Sequence, residues 1–387
     1  MTTTTALPTG ATGTNPIKAL NDFGQSPWMD YIRRDLLTGG GLKKMIDQDG
    51  LRGQTSNPTI FEKAITGGQF YSDITDSPEA KKLDAKGVYE KIAIRDVQDA
   101  TDIFKGVYAE TKHRDGYVSL EVSPLLANNT QGTIDEARRL WKSVNRPNVM
   151  IKVPATPAGI PAIRQLLEDG LNINITLLFA QSAYEQVAEA YLSALEARAK
   201  KGEDISKIAS VASFFVSRID TLIDGQIEEQ LKTERDSSKK ALLQSIEGKV
   251  AIANAKLTYK KYQELFGGAR WKALAAKGAQ TQRLLWASTS TKNPKYRDVL
   301  YVEELIGADT VDTIPPATFD AFRDHGKLRK SLTENVDAAA KTMSDLDKSG
   351  ISMKEATDKL VVDGVKLFAE AFEKLLEATG KSAGVHA

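Results

Sequence analysis

The stretch "NVMIKVPATPAG" (residues 148–159) is an apolar run with a lysine inside it. Seven of its first ten residues are apolar or proline, a pattern typical of a strand that is buried on both faces. Lys152 stands in the middle of this run, although taking an ammonium group out of water is costly. The stretch therefore predicts a buried strand whose lysine needs a chemical explanation.

Short apolar segments of the same kind recur along the chain and alternate with amphipathic helical patterns. With residues 148–155, the candidate strands are residues 27–31, 51–57, 116–123, 172–179, 208–216, 283–289 and 309–314. Between them, Thr133 and Glu136 have capping-box spacing, and residues 156–170 begin with Thr-Pro and end at a glycine. Alternating strands and helices predict a parallel sheet, and eight units predict an α/β fold, the (β/α)8 TIM barrel. An open, doubly wound sheet is the alternative.

The two ends of the chain differ from its middle. Residues 1–15 are rich in Thr, Gly and Pro and are expected to be flexible. Residues 16–387 are predicted to form one barrel domain, and the helical segments after about residue 316 are predicted to be additional C-terminal helices packed on the barrel. These helices are expected either to cover one barrel end or to form a dimer contact, so a monomer and a homodimer are both compatible with the sequence.

Composition excludes several classes of protein. The chain has 387 residues, with 52 basic and 51 acidic side chains, which argues against binding nucleic acid or a membrane through bulk charge. It contains no cysteine, so neither disulfides nor thiol chemistry are expected. No secretory signal and no apolar run of about 20 residues is visible. We therefore expect a cytoplasmic protein.

Polar residues interrupt the predicted strands at or near their carboxyl ends. In a (β/α)8 barrel, catalytic groups lie at these ends, and alternate strand residues point inward. The polar residues are Asp30, Asn57, Glu121, Lys152, Asn174, Thr176, Ser213, Ser288 and Ser290. A merely packed barrel core would not contain such a set, so the sequence predicts an active site there.

The chemistry of this site follows from its lysine. Desolvation disfavours the charged form of an amine, and a neutral amine attacks carbonyl groups to form a Schiff base. Breaking a neighbouring C–C bond then requires acid–base groups, for which Asp30 and Glu121 are candidates. Singly, each residue has a simpler interpretation. Lys152 could snorkel or pair with Glu121, Asp30 could cap a helix, and Asn57 could be a turn residue before proline.

Several motifs together resemble the transaldolase family, specifically its longer bacterial subfamily. They are "TSNPTIFEKAI" (55–65), "GYVSLEVSP" (116–124), "MIKVPATPAGIPAI" (150–163), "GLNINITLLF" (170–179), "SFFVSRID" (213–220) and "LLWASTSTKNP" (284–294). The resemblance implies a barrel without a metal or an organic cofactor. It implies transfer of a dihydroxyacetone unit from sedoheptulose 7-phosphate or fructose 6-phosphate to glyceraldehyde 3-phosphate or erythrose 4-phosphate. This is a reaction of the non-oxidative pentose phosphate pathway.

The resemblance also implies a role for each residue of the site. Lys152 would form the Schiff base, Asp30 would deprotonate the C4 hydroxyl, and Glu121 would act through a water that Thr176 helps to hold. Asn57, Asn174 and Ser213 would bind substrate hydroxyls. Arg218 would bind the phosphate, unless it forms a surface salt bridge to Asp220.

Two segments depart from the better-known transaldolase subfamily. After the sixth strand the chain has "SFFVSR" (213–218), with phenylalanine and serine in place of proline and glycine, and Phe215 matches an aromatic position over the site. After the seventh strand, "ASTSTKNP" (287–294) replaces a segment with a second phosphate-binding arginine. Lys292, with Ser288 and Ser290, is a candidate to bind phosphate there, or else a solvated loop lysine.

Three other functions stay open on residue types alone. A class I aldolase of the fructose 6-phosphate type would release dihydroxyacetone instead of transferring it. An enzyme using pyridoxal phosphate could hold its cofactor on Lys152, and a non-catalytic barrel could bind sugar phosphates without reacting.

Overall fold

Eight parallel strands form the centre of the computed structural model, which describes residues 15–68 and 70–386. In this part of the chain the strands are β1 Gln25–Asp30, β2 Gly53–Thr55, β3 Tyr117–Glu121, β4 Val149–Pro154, β5 Ile173–Leu178, β6 Ser210–Phe215, β7 Arg283–Ala287 and β8 Thr310–Ile314. Each strand pairs with the next, and β8 pairs with β1. The sheet is therefore a closed barrel, which confirms the predicted (β/α)8 fold and excludes the open sheet.

Helices surround this barrel and follow its strands. The α-helices of the described residues are α1 Pro16–Ala19, α2 Arg34–Thr38, α3 Gly41–Asp49, α4 Pro58–Thr66, α5 Ser72–Thr75, α6 Ala85–Ile103, α7 Lys105–Glu110, α8 Thr130–Val144, α9 Gly159–Glu168, α10 Gln181–Lys200, α11 Ser217–Thr233, α12 Ser237–Ile246, α13 Val250–Leu265, α14 Ala269–Ala275, α15 Leu300–Glu304, α16 Pro316–His325, α17 Val336–Ser349 and α18 Met353–Ala383. Short 3-10 helices span Leu20–Phe23, Ala80–Lys82, Pro124–Leu126 and Ser331–Thr333. None of these helices is long and apolar enough to cross a bilayer.

Helix α8 corrects one local prediction. Thr133 and Glu136 do not form a capping box, because the helix begins three residues earlier and Asn129 caps it by accepting from the Gly132 amide at 2.9 Å. Glu136 instead accepts a hydrogen bond of 2.6 Å from the backbone amide of Ser123. Its side chain thus holds the loop that follows β3.

The segment predicted to be flexible falls almost entirely on residues 1–14, which lie outside the described residues. Asn15 is described, and it caps α1 by accepting from the Ile17 amide at 3.0 Å. Its amide also donates to Asp49 at 2.6 Å. This residue is therefore ordered at the boundary of the predicted segment.

The last helix, α18, packs against α4, α6, α11 and β5. Because α4 and α11 begin at the carboxyl ends of β2 and β6, this packing places α18 over the catalytic end of the barrel. Covering one barrel end, one of the two roles predicted for the C-terminal helices, is thus observed for α18, and the dimer contact stays a prediction.

Candidate active site

Lys152 points into the barrel near the carboxyl end of β4, and its side chain is 7% exposed. Its Nζ atom lies 3.4 Å from the Glu121 carboxylate and donates to the carbonyl oxygen of Ser56 at 3.4 Å. Snorkelling to bulk water is therefore wrong as an explanation, whereas pairing with Glu121 is observed. Both contacts are long for hydrogen bonds, so the amine is held loosely within the site.

Two carboxyl groups flank the lysine. Burial raises the pKa of Asp30 and of Glu121, while the positive charge of Lys152 opposes the shift in each. Asp30 also accepts a hydrogen bond of 2.8 Å from the hydroxyl of Thr55. It does not cap a helix, since the next helix begins only at Arg34. Carboxyl groups with raised pKa values are suited to exchange protons near neutral pH.

Asn174 and Ser213 form a buried hydrogen-bonded pair beside the lysine. The Ser213 hydroxyl donates to the Asn174 carbonyl oxygen at 2.6 Å, and the Asn174 amide donates to the Ser119 hydroxyl at 3.0 Å. One N–H of Asn174 is left for a ligand. The neighbouring Thr176 hydroxyl is buried and has no hydrogen-bond partner among the described residues, so it can bind a water or a substrate atom.

Asn57 has two functions at the start of α4. Its side-chain oxygen accepts from the Ile60 amide at 3.0 Å and caps the helix, and Pro58 occupies the first helical turn. The turn interpretation from the sequence is wrong, because Asn57 has an extended backbone and is the N-cap of α4. The side-chain NH2 group remains free to donate to a ligand, and Asn57 lines the cleft described below.

Arg218 is the cation at the far side of the site. Its guanidinium lies 5.3 Å from the ring centre of Phe215 and 5.7 Å from that of Phe368. Burial lowers its pKa from the ordinary value, and no described carboxylate lies within ion-pair distance. The alternative given by the sequence, a salt bridge from Arg218 to Asp220, is not formed. Asp220 instead accepts from the Tyr301 hydroxyl and the Ala251 amide, both at 2.8 Å. An unpaired, half-buried guanidinium is a site for an anion.

Ser288, Ser290 and Lys292 lie near Arg218 on the loop after β7. Ser288 adopts a left-handed backbone conformation, with φ of 58°, and its hydroxyl is 2.9 Å from that of Ser217 at the start of α11. The exposed Lys292 donates to the Ser290 hydroxyl at 2.8 Å. Lys292 and the two serine hydroxyls of this loop thus line the same cleft as Arg218 of α11.

One open cleft, with about 620 Å³ of empty space, connects most of these residues. Ten of the twelve predicted residues line it, namely Asp30, Asn57, Lys152, Thr176, Ser213, Phe215, Arg218, Ser288, Ser290 and Lys292. Glu121 and Asn174 lie behind the residues that line the cleft. Glu121 contacts Lys152, and Asn174 contacts Ser213. The sequence therefore identified residues that the fold brings to one place.

Five further residues line the cleft without having been predicted: Thr55, Ala287, Thr313, Pro315 and Phe368. Thr55 and Thr313 are polar residues at the carboxyl ends of β2 and β8, so the rule applied to the other strands could have found them. Phe368 had no such signal, because it belongs to α18, beyond the last strand.

Comparison with known proteins agrees with this geometry. Residues 27–379 match the family described as Transaldolase/Fructose-6-phosphate aldolase. The chain belongs to the transaldolase family. The matched span includes α18 as far as residue 379, so the helix that covers the cleft is part of the family's common region.

Individual relatives are similar over nearly their whole length. The transaldolase of Trichodesmium erythraeum is 48% identical over 94% of this chain and 97% of its own. Transaldolase 2 of Nostoc sp. is 44% identical over 94% and 96%, and the transaldolase of Thiobacillus denitrificans is 42% identical over 95% and 100%. The prediction of an enzyme related to bacterial members of the transaldolase family is confirmed.

Proposed function

We propose that this enzyme transfers a dihydroxyacetone unit from a ketose phosphate to an aldose phosphate through a Schiff base on Lys152. The donor would be sedoheptulose 7-phosphate or fructose 6-phosphate, and the acceptor glyceraldehyde 3-phosphate or erythrose 4-phosphate. The observation that carries the proposal is a buried amine, 3.4 Å from Glu121, in a cleft that also contains Asp30 and the unpaired Arg218. The names of the relatives support transfer rather than simple aldol cleavage.

The first half of the reaction forms the imine. The Lys152 amine attacks C2 of the ketose, and the resulting carbinolamine loses water to give an iminium ion. Glu121 exchanges the necessary protons through a water held by the Thr176 hydroxyl, which has no other partner among the described residues. The proximity of Glu121 to the amine supports this assignment.

The second half breaks and remakes a carbon–carbon bond. Asp30 takes the proton of the C4 hydroxyl, the C3–C4 bond breaks, and its electron pair moves toward the iminium nitrogen to give an enamine. The aldose phosphate leaves. The enamine carbon then attacks the aldehyde of the acceptor, whose oxygen takes the proton from Asp30, and hydrolysis of the new iminium frees Lys152.

The remaining residues would bind the substrate. Asn57, Asn174 and Ser213 would hold the hydroxyls of the three-carbon unit, and Phe215 would restrict water. Arg218 would bind the phosphate together with Ser288, Ser290 and Lys292. The proposal includes a cytoplasmic enzyme of the pentose phosphate pathway, monomeric or homodimeric, that needs neither a metal nor an organic cofactor.

Borohydride trapping with fructose 6-phosphate tests the covalent step. We expect reduction to leave a dihydroxyacetone-derived adduct on Lys152, found by peptide mass spectrometry, and to leave none in Lys152→Ala. The control Lys354→Ala, whose side chain is 84% exposed, should be labelled at Lys152 like the unaltered enzyme. An unmodified Lys152 in the unaltered enzyme would contradict the proposal.

The Asp30→Ala variant separates imine formation from cleavage. Loss of a general base lowers kcat by about 100-fold or more, while an imine between Lys152 and the intact ketose should still be trapped. Near-normal turnover would remove Asp30 from its role.

Rapid release of dihydroxyacetone by the unaltered enzyme without an acceptor would favour the aldolase activity that the family's description also includes.

A further inference from the structure

Helix α18 approaches the mouth of the barrel very closely at Gly364. A Cβ atom at this position would lie 2.9 Å from Cδ2 of Leu177, a distance that side chains do not tolerate without a shift. Leu177 itself has a left-handed backbone, with φ of 60°, at a register irregularity between β5 and β6. Such a conformation is costly for a leucine and persists where the surrounding structure enforces it. Leu177 directly follows Thr176 on β5, so the contact joins α18 to a strand that carries a residue of the site.

Phe368 lies one helical turn beyond Gly364 and therefore on the same face of α18. Its ring centre is 5.7 Å from the Lys152 amine and 5.7 Å from the guanidinium of Arg218. These distances allow the ring to interact with both cations. The ring consequently spans the region between the group that would react and the group that would bind phosphate.

The same ring separates the cleft from a second groove on the outside of the helix. Phe368 and Arg218 line both spaces. The outer groove is otherwise lined by Thr59, Glu62, Leu367, Glu370, Ala371 and Lys374, a largely polar set that water can occupy. Replacing Phe368 by a small side chain would open a passage from this groove to Lys152.

We propose that Phe368 is a specificity-determining residue that favours transfer over release of dihydroxyacetone by keeping water from the enamine. This inference rests on the function proposed above. In the competing reaction, the enamine carbon takes a proton from water instead of forming a bond to the acceptor aldehyde. The hydroxide left by that proton transfer adds to the iminium carbon, and the resulting carbinolamine breaks its C–N bond, with its hydroxyl proton passing to nitrogen, to free dihydroxyacetone and the neutral lysine amine. An apolar ring over the amine limits the supply of that proton.

The experiment measures the rate of dihydroxyacetone release from fructose 6-phosphate alone, divided by the rate of transfer to erythrose 4-phosphate. We expect this ratio to rise by about tenfold in Phe368→Ala and to change little in Phe368→Leu, which keeps an apolar cover. The Phe368→Thr variant should raise it by a similar factor, because its small polar side chain also removes the apolar cover. The matched control is Leu367→Ala, since Leu367 is 51% exposed on the same helix.

Each outcome decides the inference. An unchanged ratio in folded Phe368→Ala, or an equal rise in Leu367→Ala, overturns it. If Phe368→Ala does not fold, the Phe368→Thr ratio decides in its place. Borohydride trapping on Lys152 is measured in every variant: trapping without a changed ratio refutes only the role of Phe368, whereas no trapping in the unaltered enzyme refutes the proposed function itself.

Discussion

A chain of two hydroxyl groups controls Asp30. The Thr55 hydroxyl donates its single hydrogen to Asp30 at 2.8 Å, so the Thr313 hydroxyl, 2.6 Å away, must donate to Thr55. Hydrogen bonds to a carboxylate favour its charged form, and this bond lowers the pKa of Asp30 against the effect of burial. Thr55 and Thr313 thus act on the proposed base without touching the bond that breaks.

The Thr55→Val variant tests this arrangement. Losing the hydrogen bond raises the pKa of Asp30 further, so the base becomes protonated at a higher pH. We expect the acidic limb of the kcat/KM profile to move to higher pH and kcat at neutral pH to fall by about tenfold. Thr55→Ser keeps the hydroxyl and should keep the profile, whereas an unaltered profile in Thr55→Val would exclude the role.

At this scale, residue types and strand ends were sufficient to predict most of the site. Asp30, Lys152 and Ser213 lie in the cleft because the carboxyl ends of parallel strands meet on one face of a barrel. Hydrogen-bond partners could not be predicted in the same way. That Thr313 on β8 meets Thr55 on β2 depends on closure of the sheet, which no local pattern encodes.

Among the elements, the loop after β7 is the one that we propose to bind the substrate phosphate together with Arg218. The Ser217 amide at the start of α11 donates to the Ser288 carbonyl at 3.1 Å. The Thr289 hydroxyl donates to Asp312 on β8 at 3.0 Å. These bonds fix the backbone on both sides of Ser288, while Lys292 reaches the cleft from an exposed position further along.

Substitutions at Arg218 and Lys292 should show which of the two cations contributes more to binding the substrate phosphate. Arg218→Lys loses bidentate geometry at a half-buried site, and we expect KM for fructose 6-phosphate to rise by roughly tenfold or more. Lys292→Met removes an exposed charge and should raise it by about threefold or less. Both effects should vanish with unphosphorylated fructose as donor. A larger effect of Lys292→Met than of Arg218→Lys would reverse the assignment.

The start of helix α8 was predicted wrongly. Thr133 and Glu136 satisfied a capping pattern by spacing, yet Asn129 caps α8. Thr133 lies inside the helix and donates to the Leu126 carbonyl at 3.0 Å. Several residues that can cap a helix N-terminus lie close together in this part of the sequence. The position of the preceding loop decided which of them caps α8.

Across the whole molecule, stability and chemistry occupy opposite ends of the barrel. At the amino-terminal end, Arg283 on β7 forms a buried ion pair of 2.8 Å with Asp115, and both bond to Ser26 on β1. The Trp28 indole also donates toward Asp115, at 3.4 Å. This cluster joins β1 and β7 to the segment just before β3, at the end of the barrel opposite to that of Lys152.

The Asp115→Asn variant tests that separation. It leaves the buried Arg283 charge without a carboxylate partner, so we expect the free energy of unfolding in urea to fall by about 3–5 kcal/mol. Activity of the folded enzyme at low temperature should be retained. The control Asp324→Asn, at a side chain 85% exposed, should change stability by less than about 0.5 kcal/mol. Equal effects of the two variants would contradict the role of the buried pair.

The sequence by itself determined the order of strands and helices, the residues near the strand ends and the family, because each depends on patterns within a few residues. Only the tertiary structure decided that Glu121 and Asn174 lie behind the cleft, that Arg218 has no carboxylate partner among the described residues, and that Phe368 lines the cleft. The physical reason is that these features arise where distant elements dock. Helix α18, for example, packs on α4, α6, α11 and β5, which are far from it in the sequence, and Gly364 lets it lie close to the Leu177 side chain.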